Sequence, residues 1–453
     1  MTAAAVGRTA GSRGTRHLPV LSTGLGLGGV QVVGAQGVWF RLADGRRVID
    51  ASNTAAPLGH CHPDLVAAVT GAARSPALNE GWIWPGRQQT ADDLLELAFA
   101  GEQEWVGAIR FFTTASEAND QALSLAQALT GRAPLVTRER AYHGMVGLAR
   151  EMTVQPQWHG GLSSAKGGFR PAPRLAEVRE LPAPACGVLR PCTPDGRCDC
   201  LPADLAGTLD GAAAVIIDYS QGGVYPSPPY QDQVAQAARQ AGALWIADEV
   251  VTGLGRQGRW MTFQRGRARP DIVTLGKGLA GGMAPAGAVV LSKRVTGWLT
   301  DQLWQTYSTF RGHPLTVAAI SATVRGIDRE SLVERSASLD AVLRARLEQL
   351  AAAHPSVERV DGLGLHWTLE LRGGHWRTWH SDTDQPPVAD KVVGAALADG
   401  VLIATSAEQA SVFIAPPLIV SDEELEKILC ALDHGLSVAD GELHKVVEVT
   451  PGS

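Results

Sequence analysis

The 453-residue sequence lacks an apolar segment long enough to cross a membrane, and it lacks an excess of positive charge. No apolar run approaches the roughly 20 residues that a bilayer-spanning helix needs. The formal net charge is -6 and the pI is near 6.1. This balance argues against a general nucleic-acid binder. We therefore predict a small-molecule partner, neutral or cationic, and neither a nucleic-acid nor a membrane partner.

A secretory signal is also missing from the N-terminal residues. MTAAAVGRTAGSRGTRH carries arginines but no apolar core segment, which a signal peptide requires. Its Arg, Ser and Thr content is weakly similar to that of an organelle transit peptide, but we favour a disordered arm over residues 1–18. We therefore expect the protein to reside in a reducing cytoplasm.

The C-x-x-C spacing of a zinc knuckle is absent too. Four of the six cysteines, Cys186, Cys192, Cys198 and Cys200, lie within ACGVLRPCTPDGRCDC, a segment without histidine. Such close spacing among turn residues is compatible with a structural metal loop or with a redox pair. We favour a surface insertion over residues 183–204 that carries reduced thiols and no metal.

The composition and the strand pattern indicate an α/β protein. Hydrophobic residues make up 45% of the chain and charged residues 19%, which is typical of a globular enzyme. Short β-branched runs alternate with helical stretches between Ile109 and Ser292, and this alternation predicts a mostly parallel sheet. Helices are predicted over Ser116–Gly131 and Pro229–Ala241 from their apolar spacing. The predicted strands are IRFFTT, PLVTRE, AAVIIDY, ALWIADEV, DIVTL and AGAVVLS.

The flanking regions predict a second, smaller domain built from both chain ends. GVWFRLADGRRVIDAS indicates a β meander, Pro314–Ala353 a long helical stretch, and VERVDGLGLHWTLELRG and VFIAPPLIV further strands. In the final helix, SDEELEKILCALDHGL, Ser421 and Glu424 fit a capping box. We place this α+β domain at residues 19–65 and 323–453, around a large domain at 66–322.

Two glycine-rich segments do not satisfy the requirements of nucleotide-binding motifs. GLGLGG, residues 24–29, matches the dinucleotide pattern but is followed by the strand-like VQVVGAQGVWF, where a helix is required. TLGKGLAGG, residues 274–282, has Asp271 and Gly278 at the positions where a phosphate loop needs Gly and Ser or Thr. Neither segment is therefore predicted to bind a nucleotide phosphate.

Lys277 in TLGKGLAGG is better suited to covalent chemistry. An amine at the end of a buried strand is poorly solvated, and the resulting fall in its pKa makes it nucleophilic. If its partner is the aldehyde of pyridoxal phosphate (PLP), the fold must also supply an acid for the pyridine nitrogen and donors for the phosphate. Asp248 at the end of an apolar run suits the first role, although a turn acid is an alternative. Ser116 at a strand-to-helix junction suits the second, although such a serine taken alone is more often a plain N-cap.

The motifs together resemble the class III PLP-dependent aminotransferases of fold type I. The resemblance rests on FFTTASEAND, AYHG, WIADEVVTGLGRQG, DIVTLGKGLAGG and STFRGHP, in this order, and on DGRRVIDAS, LGHCHP and APPLIVSDEEL nearer the chain ends. It covers nearly the whole chain from about residue 37. It implies a large domain with a mostly parallel seven-stranded sheet, a small α+β domain, and an obligate homodimer with shared active sites.

The resemblance also implies roles for individual residues. Lys277 would bind PLP covalently and then move the substrate's Cα proton, and Asp248 would keep the pyridine nitrogen protonated. Tyr142 would stack on one face of the ring, next to His143, and Val250 would pack on the other. The phosphate would be bound by Ala115 and Ser116, and by Thr309 of the neighbouring subunit.

The sequence departs from the family pattern where substrates bind. Val401–Leu418 contains no arginine for a substrate carboxylate, and the glutamate expected in the strand before Asp-Glu-Val is Asp218. Val251 replaces a common glutamine. The segment between Asp50 and Gly59 is about two residues shorter than usual, which reshapes the pocket near Asn53 and Thr54. We therefore predict that the main substrate is not a simple α-amino acid.

Tryptophans and acids near these segments point to an amino sugar. Indole faces suit sugar rings and cations, although core packing is the alternative for each tryptophan. The combination resembles the family branch that acts at the 6′ carbon of aminoglycosides in antibiotic biosynthesis. The residues concerned are Trp82, Trp84, Trp158 and Trp304, with Asp218 and Glu80 as amine-binding acids and Asn53 nearby.

Other activities are compatible with the same residues. A PLP-dependent epimerase, dehydratase or aminomutase would begin with the same proton removal, and its pocket would decide the outcome. A non-catalytic PLP-binding scaffold is disfavoured because both Lys277 and Asp248 are present.

Overall fold

The structure is a computed structural model that describes residues 31–76, 78, 80–155, 158–163, 169–187, 192–193, 198–372, 387–406 and 410–449. The arm predicted over residues 1–18 and the GLGLGG segment lie outside these ranges. Within them, no helix has both the length and the apolar character needed to cross a membrane.

A seven-stranded sheet lies at the centre of the molecule and confirms the predicted fold class. In spatial order its strands are β4 (Val106–Phe112), β12 (Gly287–Ser292), β11 (Ile272–Leu275), β10 (Leu244–Asp248), β9 (Ala214–Asp218), β5 (Leu135–Arg138) and β8 (Val178–Leu181). Only β12 runs antiparallel to its neighbours in this sheet. The edge strand β8 was not predicted, because Arg179 and Glu180 interrupt its short apolar pattern.

The central strands are apolar on both faces because helices cover both. Ile216 of β9 packs in the apolar cluster that includes α3 (Ala115–Thr130), and the next residue, Ile217, packs in the cluster that includes α6 (Pro228–Ala241). This alternation is the period of two of a β-strand, and burial on both sides explains the continuous apolar runs in the sequence. Each helix begins one residue before its predicted start.

Shorter elements complete the large domain. They are α1 (Pro63–Ala72), α2 (Pro85–Asp93) with a π-helical turn at Leu94–Ala98, α4 (Gly147–Glu151), β6 (Gly161–Ser163), β7 (Phe169–Pro171), α5 (Leu205–Leu209) and α7 (Lys293–Trp298). Three 3-10 turns lie at Gln221–Gly223, Thr262–Arg265 and Lys277–Ala280.

The two chain ends meet in a four-stranded sheet. The predicted meander forms β1 (Val32–Gln36), β2 (Trp39–Leu42) and β3 (Arg47–Asp50), and β15 (Val401–Leu402) pairs in parallel with β3. A second small sheet has the order β13 (Val357–Leu363), β14 (His366–Leu371), β17 (Ser411–Ile414) and β16 (Ala404–Thr405). Helix α10 (Val388–Ala398) lies between β14 and β15 in the chain, and helix α11 (Asp422–Val449) follows β17.

The capping box at the start of α11 is formed as predicted. The Ser421 N–H donates to Glu424 Oε2 at 3.0 Å, and the Glu424 N–H donates to Ser421 Oγ at 3.2 Å. The two residues thereby satisfy each other's free backbone donors at the helix start.

The helical stretch predicted over Pro314–Ala353 is two helices, α8 (Pro314–Arg329) and α9 (Leu332–Ala353). The chain turns at Ser331, which has a left-handed φ of 52°. The domain boundary predicted between residues 322 and 323 therefore falls inside α8. Since a boundary rarely divides a continuous helix, we propose to move it to Glu330–Ser331. The limit predicted between residues 65 and 66 likewise falls inside α1 (Pro63–Ala72). The remaining domain limits stay predictions.

Candidate active site

Most of the predicted cofactor residues meet at the carboxyl edge of the central sheet. Asp248 ends β10, and Lys277 follows β11 by two residues. Helix α3 begins shortly after β4 ends. Because these strands are mutually parallel, their carboxyl ends share one edge, where α/β proteins bind ligands. A cavity of about 320 Å³ opens at this edge of the sheet, and we call it the first cavity. Seven of the eight predicted cofactor contacts line it: Ala115, Ser116, Tyr142, His143, Asp248, Val250 and Lys277.

The Asp248 carboxylate is buried, with 4% of its surface exposed, and two polar side chains stabilise it. Its Oδ2 accepts a hydrogen bond from Asn119 Nδ2 at 2.9 Å and lies 2.7 Å from His143 Nδ1. Its Oδ1 accepts from the Val250 N–H at 3.0 Å. On the far side of the imidazole, His143 Nε2 bonds to Thr137 Oγ1 at 3.1 Å, which fixes the ring. Asp248 is therefore held in one orientation towards the cavity.

Sequence reasoning missed Asn119 as a member of this site. The residue lies four positions after Ala115 on α3, so the helical period places both on one face. That spacing was the available signal, because Ala115 was already a predicted contact.

Glu249, which follows Asp248, is directed elsewhere. It accepts hydrogen bonds from the Phe263 N–H at 2.7 Å and from Thr252 Oγ1 at 2.8 Å. Complete burial raises its pKa to about 7, with the hydrogen bonds opposing the rise. Glu249 does not line the first cavity. Only the first acid of the Asp-Glu pair can therefore meet a ligand there.

Lys277 keeps exposed surface, and it lines both of the cavities found at this edge of the sheet. Desolvation lowers the pKa of its amine, and the charges of Asp248 and Asp218 oppose this shift. A lowered pKa increases the fraction of neutral, nucleophilic amine. The backbone of Lys277 has a φ of 33°, in the left-handed region. Such strain in a non-glycine residue is typical of functional sites.

A second cavity, also of about 320 Å³, adjoins the first. Tyr142, Ser220, Gln221, Val251 and Lys277 line both. Its other walls come from the large domain and from the C-terminal strands. The Lys277 amine therefore lies where the two cavities meet.

The lining of the second cavity is aromatic and neutral. Among the described residues it contains no Asp, Glu or Arg, and Lys277 is its single cation. The lining side chains that carry rings or uncharged polar groups are Thr54, Tyr142, Gln155, Trp158, Ser220, Gln221, His366, Thr368, Thr405, Ser406 and Phe413. Most were not predicted, since the contacts join residues that are far apart in the sequence.

His366 adds no charge to this lining. Desolvation lowers its pKa to about 3, and the charges of Arg256 and Lys277 act in the same direction. Its Nδ1 shares a hydrogen bond of 2.7 Å with the Tyr225 hydroxyl, which lies 2.8 Å from Thr368 Oγ1. The imidazole is thus neutral at physiological pH and held by a buried network.

The predicted amine-binding acids are already paired. Asp218 forms an ion pair with buried Arg138, at 2.5 Å, and accepts from the Ser220 and Gln221 N–H groups. Glu80 contacts Arg110 at 2.6 Å. Asp218 lines the first cavity, so a substrate amine would have to compete with Arg138 for it. Its substrate role stays a prediction, with this competition against it.

The tryptophans are divided between the cavity and other surroundings. Trp158 lines the second cavity and packs edge-on against Tyr142, with ring centroids 5.3 Å apart. Trp82 is 55% exposed, Trp84 is half-buried, and Trp304 packs beside Phe112. These last three tryptophans line neither cavity.

The predicted residues near position 53 are split in the same way. The Asn53 side chain accepts from the Ala55 N–H at 2.9 Å and shapes a turn instead of lining a cavity. Ala55 lines the first cavity and Thr54 the second. Thr309 lines neither cavity of its own chain.

Residues 27–436 match the family model described as aminotransferase class III. The chain belongs to the class III aminotransferases. It is 29% identical over 383 residues to the acetylornithine aminotransferase of Methanothermobacter thermautotrophicus, covering 84% of this chain and 86% of that protein. It is 30% identical over 435 residues to the diaminobutyrate–2-oxoglutarate aminotransferase of Rhizobium meliloti, covering 89% and 87%.

A solved structure shows the same fold. An S-selective transaminase from Arthrobacter sp. superposes on this aminotransferase with a TM-score of 0.82 at 29% identity, and the match covers 91% of this chain and 94% of that one. The family match confirms the predicted enzyme class and the predicted cofactor, since class III aminotransferases use PLP.

The first cavity of the aminotransferase fits PLP in volume and in chemistry. The Lys277 amine suits the aldehyde, the fixed Asp248 carboxylate suits the ring nitrogen, and the start of α3 at Ala115 and Ser116 offers N–H donors for the phosphate. Tyr142 and Val250 would contact the ring. When bound, PLP supplies an electron sink for the carbon that loses a proton.

The residue before Lys277, Gly276, must be a glycine if the segment packs against Ala115 as described, and this can be tested. A Cβ on Gly276 would lie 2.4 Å from the Ala115 Cβ, at the proposed phosphate site. We expect Gly276→Ala to lower the free energy of unfolding by about 1–3 kcal/mol and to reduce PLP content, because the phosphate turn must shift. Thermal denaturation and the PLP content of the purified protein measure these effects.

Gly278→Ala is the matched control on the other side of Lys277. A Cβ there would meet Pro57 at an ordinary contact distance of 3.5 Å. It should retain PLP content near that of the unaltered protein. Equal losses in both variants would contradict the packing explanation.

Proposed function

We propose that this aminotransferase transfers an amino group to or from an amino sugar, such as an aminoglycoside reacting at C-6′, and not to or from a simple α-amino acid. The observation that carries the proposal is the neutral, aromatic second cavity beside the Lys277 amine. A role in antibiotic biosynthesis stays a prediction.

The polar groups of the second cavity suit a hydroxylated substrate. Hydroxyl and amide side chains donate and accept, as sugar hydroxyls do. Tyr142 and Trp158 contribute ring surface, and apolar ring faces suit the C–H faces of a sugar. These groups favour a ring with many hydroxyls over an aliphatic amine.

The same cavity suits a carboxylate poorly. Val401–Leu418 has no arginine, and among the described residues no guanidinium lines the cavity. Burying a carboxylate without a cationic partner is costly. A dicarboxylic amino donor would therefore need Lys277 or water as its partner, which argues against such a substrate as the main one.

The relatives favour a second candidate substrate, an amino acid that reacts at its terminal amine. The curated relatives reported above are named for acetylornithine and diaminobutyrate. Both candidates present a primary amine to Lys277, and they differ in whether a carboxylate must be bound. Measuring kcat/KM for an aminoglycoside with a 6′-amine, N-acetylornithine and 2,4-diaminobutyrate, with the same keto acid acceptor, separates them. We expect kcat/KM to be at least tenfold higher for the aminoglycoside than for either amino acid. A higher kcat/KM for one of the amino acids would reject the amino-sugar proposal.

The reaction type is tested by omitting the keto acid. A transaminase then stops after one amino group per active site. Continued turnover of the aminoglycoside would instead favour epimerisation, dehydration or amino-group migration.

Trp158 provides a prediction specific to the sugar. We expect Trp158→Ala to raise KM for the aminoglycoside about tenfold, because the loss of one ring face costs roughly 1.4 kcal/mol. The kinetics with a short alkylamine should change little. Trp298→Ala, a partly exposed tryptophan on α7, is the control. Equal effects of Trp158→Ala on both substrates would indicate a structural role instead of sugar contact.

We also propose the homodimer that the resemblance implies. Arg87 connects two segments by donating to the carbonyl oxygens of Trp82 and Gly312. Around this connection lies an apolar surface, which we name the 82/310 patch. Its exposed members are Trp82, Ile83, Leu303, Tyr307 and Phe310. An exposed apolar patch of this kind is typical of an interface, and it is adjacent to Thr309, which is predicted to reach the partner's phosphate site.

The cytoplasmic location is likewise a proposal. The support is that none of the six cysteines forms a disulfide, as expected in a reducing compartment.

A further inference from the structure

The four cysteines of the 183–204 insertion converge on one point. The sulfur atoms of Cys186, Cys192, Cys198 and Cys200 all lie within 4.8 Å of one another. The separations are 3.5 Å for Cys186–Cys198, 3.7 Å for Cys192–Cys198 and 3.1 Å for Cys192–Cys200. A tetrahedral zinc ion with Zn–S distances of about 2.3 Å requires sulfurs about 3.8 Å apart. The cluster is thus near the size of such a site.

The position of the cluster differs from the predicted surface insertion. Cys186 and Cys198 are 5% and 3% exposed, and both belong to the main apolar core cluster. Cys192 and Cys200 are partly buried against it. The insertion therefore folds its thiols inwards, which its turn-rich sequence did not indicate.

The neighbourhood of the cluster fixes the start of α6. The Cys186 sulfur lies 4.0 Å from Ser227 Oγ, and Ser227 is the N-cap of α6. The Cys186 N–H donates to the Cys200 sulfur at 3.3 Å, a contact that orients and stabilises a thiolate ligand. The segment that precedes Ser227 includes Gly222 and Gly223 of the second cavity.

We propose that Cys186, Cys192, Cys198 and Cys200 form a structural zinc site that fastens the 183–204 insertion to the start of α6. Four thiolates complete the tetrahedral coordination of the ion, so no position is left for a substrate, and the site is structural. Soft sulfur ligands without histidine select zinc over harder cations. Each thiol loses its proton to solvent when the ion binds, and no oxidant or reductant is needed.

Disulfide formation is the competing use of these thiols. A disulfide brings two sulfurs to about 2.05 Å and pairs them two by two. Here Cys192 is close to both Cys198 and Cys200, and Cys198 is also close to Cys186. Each of these sulfurs therefore has more than one close sulfur neighbour or belongs to the same chain of contacts, as expected for four ligands of one metal ion and not for two separate disulfides.

Metal analysis of the full-length, PLP-loaded protein tests the site. After expression in zinc-supplemented medium and dialysis against a weak chelator, mass spectrometry should find one zinc per chain. Cys192→Ser and Cys200→Ser should each reduce this to below a tenth. Cys61→Ser and Cys430→Ser, which alter exposed cysteines outside the cluster, should retain one zinc.

Three measurements on the unaltered protein do not depend on a variant that folds. Replacing zinc with cobalt should produce the intense visible bands of tetrahedral thiolate-bound cobalt, and a mercurial reagent should release one zinc per chain. Thiol titration after denaturation with a chelator should find six thiols. Less than a tenth of a zinc per chain would overturn the proposal, whether six thiols are found or only two. Iron in place of zinc would overturn the choice of ion.

Discussion

Replacing Lys277 with alanine is expected to lower the transamination rate by about 10⁴-fold or more. In the role proposed for it, Lys277 would supply the amine that holds the cofactor and moves the substrate proton, and desolvation lowers the pKa of that amine, which favours its nucleophilic form. The visible absorbance that borohydride abolishes in the unaltered, PLP-loaded protein should be missing from the variant. Steady-state kinetics and absorbance spectra measure both effects.

Lys293→Ala is the control for this substitution. Lys293 lies on α7, where its amine is exposed and pairs with Glu104 at 3.2 Å. It should retain full activity and the visible band. Retention of the band in Lys277→Ala would show that another amine binds the cofactor, and the assignment of Lys277 would then be wrong.

The inactive variant also tests the proposed shared site. Thr309→Ala should lose activity because the partner's phosphate contact is missing. The Thr309→Ala variant is then mixed with the Lys277→Ala variant under conditions that allow subunits to exchange. If Thr309 acts across the dimer, each heterodimer has one intact active site. Up to a quarter of the unaltered activity should then return. No recovery, despite proven exchange, would place Thr309 in its own chain's site or outside any site.

Asp248→Asn is expected to reduce kcat on the order of 10²-fold or more. A neutral amide cannot keep the pyridine nitrogen protonated, so the cofactor becomes a weaker electron sink. Asparagine has nearly the same size, so the cavity should keep its shape, although its single oxygen can keep only one of the two hydrogen bonds, from the Val250 N–H or from Asn119. The variant should therefore bind PLP but turn over slowly, with KM changed less than kcat.

Asp93→Asn separates this effect from a general loss of stability. Asp93 is as buried as Asp248, but it pairs with Arg325 at 2.8 Å and lines neither the first nor the second cavity. It should lose thermal stability and keep its kcat. Near-normal kcat in Asp248→Asn would refute the proposed role of Asp248.

The central sheet could be predicted because its strands are buried on both faces. Each strand in the middle of the sheet is a short apolar run, as in LWIAD and IVTL, and glycines end α3 and α6. The edge strand β8 was missed because the charged residues Arg179 and Glu180 interrupt its short apolar pattern. The break between α8 and α9 was missed because Ser331 is not a residue whose identity demands a left-handed turn.

The grouping of the proposed cofactor residues Asp248 and Lys277 could be predicted for a related reason. Asp248 and Lys277 lie at or just beyond strand ends, so the strand pattern alone brings them to one edge of the sheet. Asn119 of α3 and His143 of the loop after β5 both contact Asp248, and only the packing of these segments against β10 shows this. The substrate residues were harder to predict, since Trp158 lies in the second cavity while Trp82 and Trp84 do not.

The sequence by itself determined the family, the cofactor chemistry, the apolar strands and the absence of arginine between Val401 and Leu418. These features depend on residue identity and on spacing along one element, which a sequence displays directly. Only the tertiary structure decided the neutral second cavity, the pairing of Asp218 with Arg138 and the inward convergence of the four cysteines. Each of these joins residues from different elements, and their distances depend on how those elements pack.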